Sequence, residues 1–265
     1  MSKTRIEQFG WRGAVEPGIG RVVSAHGDYY HLVCNEQGGE ILARKKKSAF
    51  LDASAIRPTT GDFVRFRYNP TGESTILSVF PRFSVFERKD PTARRKSQTL
   101  AVNFDTLFVM MSLNENFSLP RLERFLALAG DMGEAEAKVV LTKSDLPGAN
   151  ALPDVAGSIR ISSVTGEGID RIEEIVAPGR TVAFIGSSGV GKSTLLNTLA
   201  GEEWAATREI QEWSDKGRHT TTSRELVMLP NGAMVVDTPG IREIGMVGET
   251  ERMQAKGEST HRWRK

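Results

Sequence analysis

Two hydrophobic rhythms divide this chain. Before residue 81, apolar and polar residues alternate in short runs: Gly20–Ala25, Tyr29–Cys34, Glu40–Arg44, Asp62–Tyr68 and Thr75–Phe80. Alternation at period two marks half-buried strands. Gly27-Asp28, Gly38-Gly39, Gly61-Asp62 and Pro70-Thr71-Gly72 break the runs with turn chemistry. Five short strands in this arrangement predict a small all-β barrel of the OB type, an architecture that recurrently binds oligonucleotides. In the fourth run, alternation places Phe66 and Tyr68 on one face and Arg65 and Arg67 on the other. The aromatics are expected inside and the arginines outside.

From residue 100 strand and helix patterns alternate. Leu107–Met111, Ala137–Leu141, Ser158–Ile161, Val182–Ile185, Glu225–Leu229 and Ala233–Asp237 read as strands. Leu119–Met132 carries Leu122, Phe125, Leu126 and Ala129 at helical spacing, and Ile169–Ala177 and Ser193–Ala200 read as further helices. This order predicts an α/β domain with a mostly parallel sheet and helices on both faces. Residues 82–99 are polar, basic and proline-containing, either a solvated linker or an arm that touches RNA. The expected division is therefore 1–85 (barrel), 86–99 (linker), 100–245 (α/β domain) and 246–265 (basic tail).

A hydrophobic fraction of 39% and a charged fraction of 26% are those of a globular protein. No apolar run has the length of a membrane helix and Met1–Glu7 shows no secretory h-region, so a cytoplasmic protein without a membrane partner is expected. The net charge of +2 conceals an asymmetry: residues 1–97 hold 17 Lys and Arg against 10 acids, and residues 98–265 hold 18 against 23. The basic half is the β-rich half, and Arg44-Lys-Lys-Lys47 follows one of its strands. A basic groove with aromatics nearby suits RNA phosphates and unpaired bases.

The densest chemistry lies at Gly186-Ser187-Ser188-Gly189-Val190-Gly191-Lys192-Ser193, a full G-x-x-x-x-G-K-[ST] between a strand and a helix. Such a loop cradles phosphates with its backbone N–H groups and the helix N-terminus that continues through Thr194. Lys192 is expected on the β- and γ-phosphates and the Ser193 hydroxyl on Mg²⁺. Thr142-Lys143-Ser144-Asp145 closes an apolar run and fits [NT]-K-x-D, in which the Asp carboxylate accepts two hydrogen bonds from guanine; Thr142 stands where Asn is usual. Ser162 and Ser163, in Ile161–Gly168, are expected to brace the guanine site. Asp237-Thr-Pro-Gly240 ends a strand: Asp237 is expected to reach Mg²⁺ through water, and the Gly240 N–H the γ-phosphate. In Gly217–Thr222, Thr221, ahead of Thr220, is expected to bind Mg²⁺ and sense the γ-phosphate.

Order carries more than any one motif. Thr142–Asp145 and Ser162–Ser163 precede the phosphate loop, whereas in ordinary small GTPases they follow it, so this GTPase is read as circularly permuted. Permutation is tolerable because chain termini usually lie close together at the surface.

With these motifs in that order behind a β-rich segment, residues 20–245 resemble the bacterial RsgA (YjeQ) family of small-subunit-dependent GTPases. Gly20–Val23, Thr60–Val64, Ala101–Val109 and Leu122–Leu126 add to the resemblance. It implies an OB barrel followed by a circularly permuted P-loop GTPase. It also implies GTP/GDP with Mg²⁺ as ligands, and the small ribosomal subunit with its rRNA as partner and activator. A monomer suffices. Ile241 occupies the place where many GTPases carry the water-positioning Gln, so the catalytic polar group must come from elsewhere; His219 is the expected candidate. A slow free enzyme follows. Family members continue into a zinc domain with three Cys and one His. Here the one cysteine is Cys34 in the barrel, so no zinc site is expected. Two alternatives stay open: a nucleotide-gated RNA-binding protein with negligible hydrolysis, and a different permuted GTPase acting on the large ribosomal subunit or on another RNA, against which the N-terminal barrel argues. Asp145 argues against an ATPase.

Overall fold

The computed structural model describes residues 3–36, 39–46, 56–88, 98–201 and 225–237. Five strands, β1 (Ile19–His26), β2 (Tyr29–Cys34), β3 (Glu40–Lys45), β4 (Phe63–Arg67) and β5 (Ser74–Val79), close on themselves. The pairs β1–β2, β2–β3, β4–β5 and β1–β4 are antiparallel and β3–β5 is parallel, giving a closed OB-like barrel. Val22, Tyr30, Leu32, Cys34, Ala43, Val64, Phe66 and Ile76 fill it. Phe66 thus points inward, with Tyr68 packed against the same core, while Arg65 and Arg67 lie outward. Phe63 faces out with Arg65, but the short helix α1 (Arg5–Gln8) and the residues after it cover it: Ile6 and Ile19 pack there, and the Trp11 ring meets Phe63 edge-on at 5.1 Å.

The segment read as a linker is structured at both ends. β6 (Val85–Arg88) and β7 (Gln98–Val102) form an antiparallel ribbon, and Phe86 and Leu100 are buried in the core of the second half. The polar stretch between them, 89–97, lowered the average hydrophobicity of the whole window and hid two short strands; that stretch lies outside the described residues.

The second half is a sheet of β8 (Thr106–Ser112), β9 (Glu136–Thr142), β10 (Ile159–Arg160), β11 (Thr181–Ile185), β12 (Glu225–Met228) and β13 (Met234–Asp237). Its order is β10-β9-β8-β11-β13-β12, parallel except for β12. Every residue of β8 is buried, as a central parallel strand requires. Period two splits it: Leu107, Val109 and Met111 enter one apolar layer with α2 (Leu119–Leu128), and Phe108 and Met110 enter the other with α3 (Ile169–Ile175) and α4 (Lys192–Ala200). Helix α2 ends four residues earlier than its apolar spacing predicts, because the Ala129 N–H already closes the last turn and Gly130 follows.

The two halves share one sheet. β12 pairs with β1 at Glu225 and Ser24, so the strand order runs unbroken from β10 into the barrel. Beside this junction Arg21, on β1, is fully buried. Its Nη1 donates to the Phe9 carbonyl (2.7 Å) and the Thr181 hydroxyl (2.9 Å), and its Nη2 to the Asn103 carbonyl (2.7 Å). Burial draws its pKa down to about 9, with Asp105 and Asp62 opposing that shift. Asp105 in turn accepts from the Thr181 N–H (2.8 Å) and from Arg12 and Arg180. These contacts gather the starts of β8, β11 and β13 around one barrel arginine, at the sheet end opposite the one where the motifs lie.

Candidate nucleotide-binding site

Every described motif sits at the carboxyl ends of neighbouring parallel strands, where open α/β sheets bind ligands. The phosphate loop leaves β11 at Ile185 and enters α4 at Lys192. Gly186 is required by close approach: a Cβ there would lie 2.7 Å from the Met110 carbonyl of β8. Val190 anchors the loop in the apolar layer beneath, whereas Ser188 and Gly189 are exposed at its crest and Ser187 is half-buried. The first intrahelical bond of α4 runs from the Leu195 N–H to the Gly191 carbonyl, so the turn before it presents its amides to the loop. Lys192 Nζ bends over the loop and donates to the carbonyls of Gly186 (2.7 Å) and Ser187 (2.8 Å). Ser193 and Thr194 lie exposed in the first turn.

Thr142, at the end of β9, is 4% exposed, and its Oγ1 donates to the Val190 carbonyl at 2.6 Å. The threonine hydroxyl thereby ties the end of β9 to the 186–193 loop. Lys143 follows with φ of 62°, a left-handed backbone that a non-glycine residue adopts only when its surroundings hold it. Ser144 gives its backbone N–H to the Ile161 carbonyl (3.1 Å) and its hydroxyl to Glu167 Oε2 (2.5 Å). Asp145 is exposed beside them. Ser162 is fully buried, and its Oγ accepts from the N–H groups of Val164 (3.2 Å) and Thr165 (3.1 Å); Ser163 is half-buried next to it. The structure thus brings 142–145, 162–163 and 186–194 into one cluster. Glu167 was not among the expected residues, although it lies within the Ile161–Gly168 stretch that drew attention.

The backbone of β13 places Asp237 at the carboxyl end of the strand next to β11. Thr220, Thr221, His219, Gly240 and Ile241 lie outside the described residues. Cys34 is buried in the barrel, where burial pushes its thiol up to about 12. Among the described residues, no group of three or more His, Cys, Asp or Glu side chains is placed to hold a metal ion. Nor is any described helix long and apolar enough to cross a membrane.

Residues 79–247 match the family model described as RsgA GTPase. The chain belongs to that family. Among curated RsgA relatives, the small ribosomal subunit biogenesis GTPase RsgA 2 of Lactiplantibacillus plantarum is 41% identical over 237 residues, covering 85% of this chain and 66% of the relative. The small ribosomal subunit biogenesis GTPase RsgA of Leptospira interrogans is 37% identical over 265 residues, covering 92% and 72%. The chain thus spans about two thirds of the length of the RsgA proteins it matches. Its fold is similar to that of the crystal structure of YjeQ from Thermotoga maritima, with a TM-score of 0.61 and 25% identity over 84% of this chain and 75% of that one. YloQ, described as a circularly permuted GTPase, matches in fold with a TM-score of 0.53 and 19% identity over 83% of this chain and 70% of that one. The RsgA fold here is a circularly permuted P-loop GTPase domain preceded by an OB-like barrel.

Proposed function

We propose that this protein hydrolyses GTP to GDP and phosphate during late maturation of the small ribosomal subunit, which it binds through rRNA contacts of the barrel and which stimulates it. The observation that carries the reading is the Thr142–Val190 hydrogen bond: it fastens the guanine motif directly to the phosphate loop, across a permuted chain. Asp145 and Lys143 then face the base with Ser162 and Ser163 behind them, while Gly186–Ser193 and Thr194 enclose the phosphates. Ser193, Thr221 and Asp237 would hold Mg²⁺, which neutralises charge on the phosphates when bound. Gly240 and Thr221 read the γ-phosphate, and His219 supplies the polar group for which Ile241 has no substitute. The basic barrel half, with outward Arg65 and Arg67, supports RNA contact. A barrel followed by a GTPase domain that takes in the β6–β7 ribbon, a cytoplasmic location and a monomeric state belong to the same reading.

The test is GTP turnover of the purified chain with and without small ribosomal subunits. Slow turnover alone and strong stimulation by the subunit is the expected result. Supplying a missing catalytic element in trans is worth ~10³–10⁵ in rate. Tight GTP binding with no turnover in either condition would favour a nucleotide-gated RNA binder, the reading that Ile241 permits. Turnover stimulated only by large subunits would overturn the partner.

A further inference from the structure

We propose that Glu167 is a positioning residue for guanine recognition, acting through Ser144; this rests on the guanine site described above. The turn 143–145 has an unfavourable geometry at Lys143, where φ is 62°. A non-glycine residue is held there only by its neighbours. One restraint comes from the phosphate-loop side, where Thr142 Oγ1 is bonded to the Val190 carbonyl. The other comes from the 162–168 loop, where Ser144 Oγ donates to the Glu167 carboxylate at 2.5 Å and the Ser144 N–H to the Ile161 carbonyl at 3.1 Å.

Glu167 is itself fixed from both sides. Its carbonyl accepts from the Ser162 N–H (3.0 Å), and its N–H approaches Thr165 Oγ1 (3.4 Å). The next residue, Gly168, has φ of 68°, and a Cβ on it would lie 2.2 Å from the Arg160 carbonyl. The loop backbone is therefore held against β10, and the exposed Glu167 side chain reaches Ser144 from it. A hydroxyl bonded to an ionised carboxylate is a strong, directional tie. Asp145 is the next residue in the chain, so holding the turn at Ser144 restricts the backbone from which its carboxylate projects. Serine at this third motif position and glutamate at 167 form a pair in which each gives the other its purpose.

The experiment measures the affinity of the full 265-residue chain for GDP, IDP and ADP by displacement of a fluorescent GDP. IDP keeps the N1–H but lacks the exocyclic amine, so it reports on one of the two hydrogen bonds that Asp145 accepts. Wild type is expected to prefer GDP over IDP, and both over ADP. Glu167→Ala should weaken GDP about three- to tenfold, the worth of one hydrogen bond, and weaken IDP less, so the GDP-to-IDP preference shrinks. Glu167→Gln, whose amide oxygen still accepts from Ser144, should restore the preference. Ser144→Ala should reproduce the loss, and the double variant should lose no more than either single one. Ser144→Ala also keeps the proposal falsifiable if Glu167→Ala does not fold. Unchanged preference in Glu167→Ala or in Ser144→Ala, or losses that simply add, would overturn the proposal while leaving the guanine site intact. A wild type that does not distinguish the three nucleotides would remove both.

Discussion

Thr142 carries two consequences that follow from a single hydroxyl. Thr142→Ala removes the donor to a buried carbonyl, and an unsatisfied buried acceptor costs about 1–3 kcal/mol. Both the melting temperature and the affinity for GDP are therefore expected to fall, while Thr142→Ser retains most of each. Gly186→Ala acts sterically, since its methyl would press on the Met110 carbonyl of a central strand; overpacking of this kind costs about 1–3 kcal/mol. Weakened nucleotide binding, read by titration, is the expected result. Cys34 gives a pH signature. Burial raises its thiol pKa to about 12, against ~8.5 for a free cysteine. A folded-state pKa raised in this way contributes stability that is complete below ~8.5 and is lost as pH climbs through 12. Melting curves between pH 8 and 11 should show wild type losing stability relative to Cys34→Ala.

The elements differ in how far their sequence revealed them. The five barrel strands were legible almost to the residue, because most of their length alternates between the barrel interior and the outside and the turns between them carry Gly, Asp or Pro; the outward side of β1 and β4 is itself covered at Arg21 and Phe63. β8 and β11 were legible as continuous apolar runs, the mark of strands buried on both sides. The 186–193 loop and the 142–145 turn stood out in the sequence by their motif spacing, which does not depend on the surrounding fold, and the structure brings the two together through Thr142 and Val190. Glu167 was not, since its role depends on a hydroxyl 23 residues away in the chain that only the folded sheet brings near. The ribbon β6–β7 was hidden by the polar stretch between its strands. Arg82, just before it, looked like part of a solvated basic arm. Instead its Nε and Nη2 each reach Asp62 at 2.8 Å, and Asp62 is fully buried. Burial holds the Asp62 carboxyl above the ordinary carboxylate range, with the Arg82 contacts opposing it. Arg82→Ala would leave that acid buried without its ion-pair partner, bonded to the Thr59 N–H, a loss of up to about 3–5 kcal/mol measurable by denaturant unfolding. Arg82→Ala combined with Asp62→Asn should recover part of it.

At the scale of the whole molecule, the β1–β12 pairing and Arg21 join barrel and GTPase into one body. Arg21→Met would strip the donors from the Phe9 and Asn103 carbonyls and from Thr181. Calorimetry of that variant is expected to resolve two unfolding transitions where wild type shows one. Nothing local in Gly20-Arg-Val-Val23 announced this, because a charge in a strand is ordinarily an outward residue. The reach of Arg21 also sets a clock. Its partners Thr181 and Met234 lie 160 and 213 residues downstream, and a ribosome adds ~5–20 residues per second. A barrel completed at Val79 therefore waits roughly 5–30 s, by the same synthesis rate, before Thr181 and Met234 exist to complete the contacts that its arginine makes with Phe9. Docking of that side chain is the event that reports the arrival of β13, the strand that delivers Asp237, so the molecule closes on its barrel only after its nucleotide end has been synthesised.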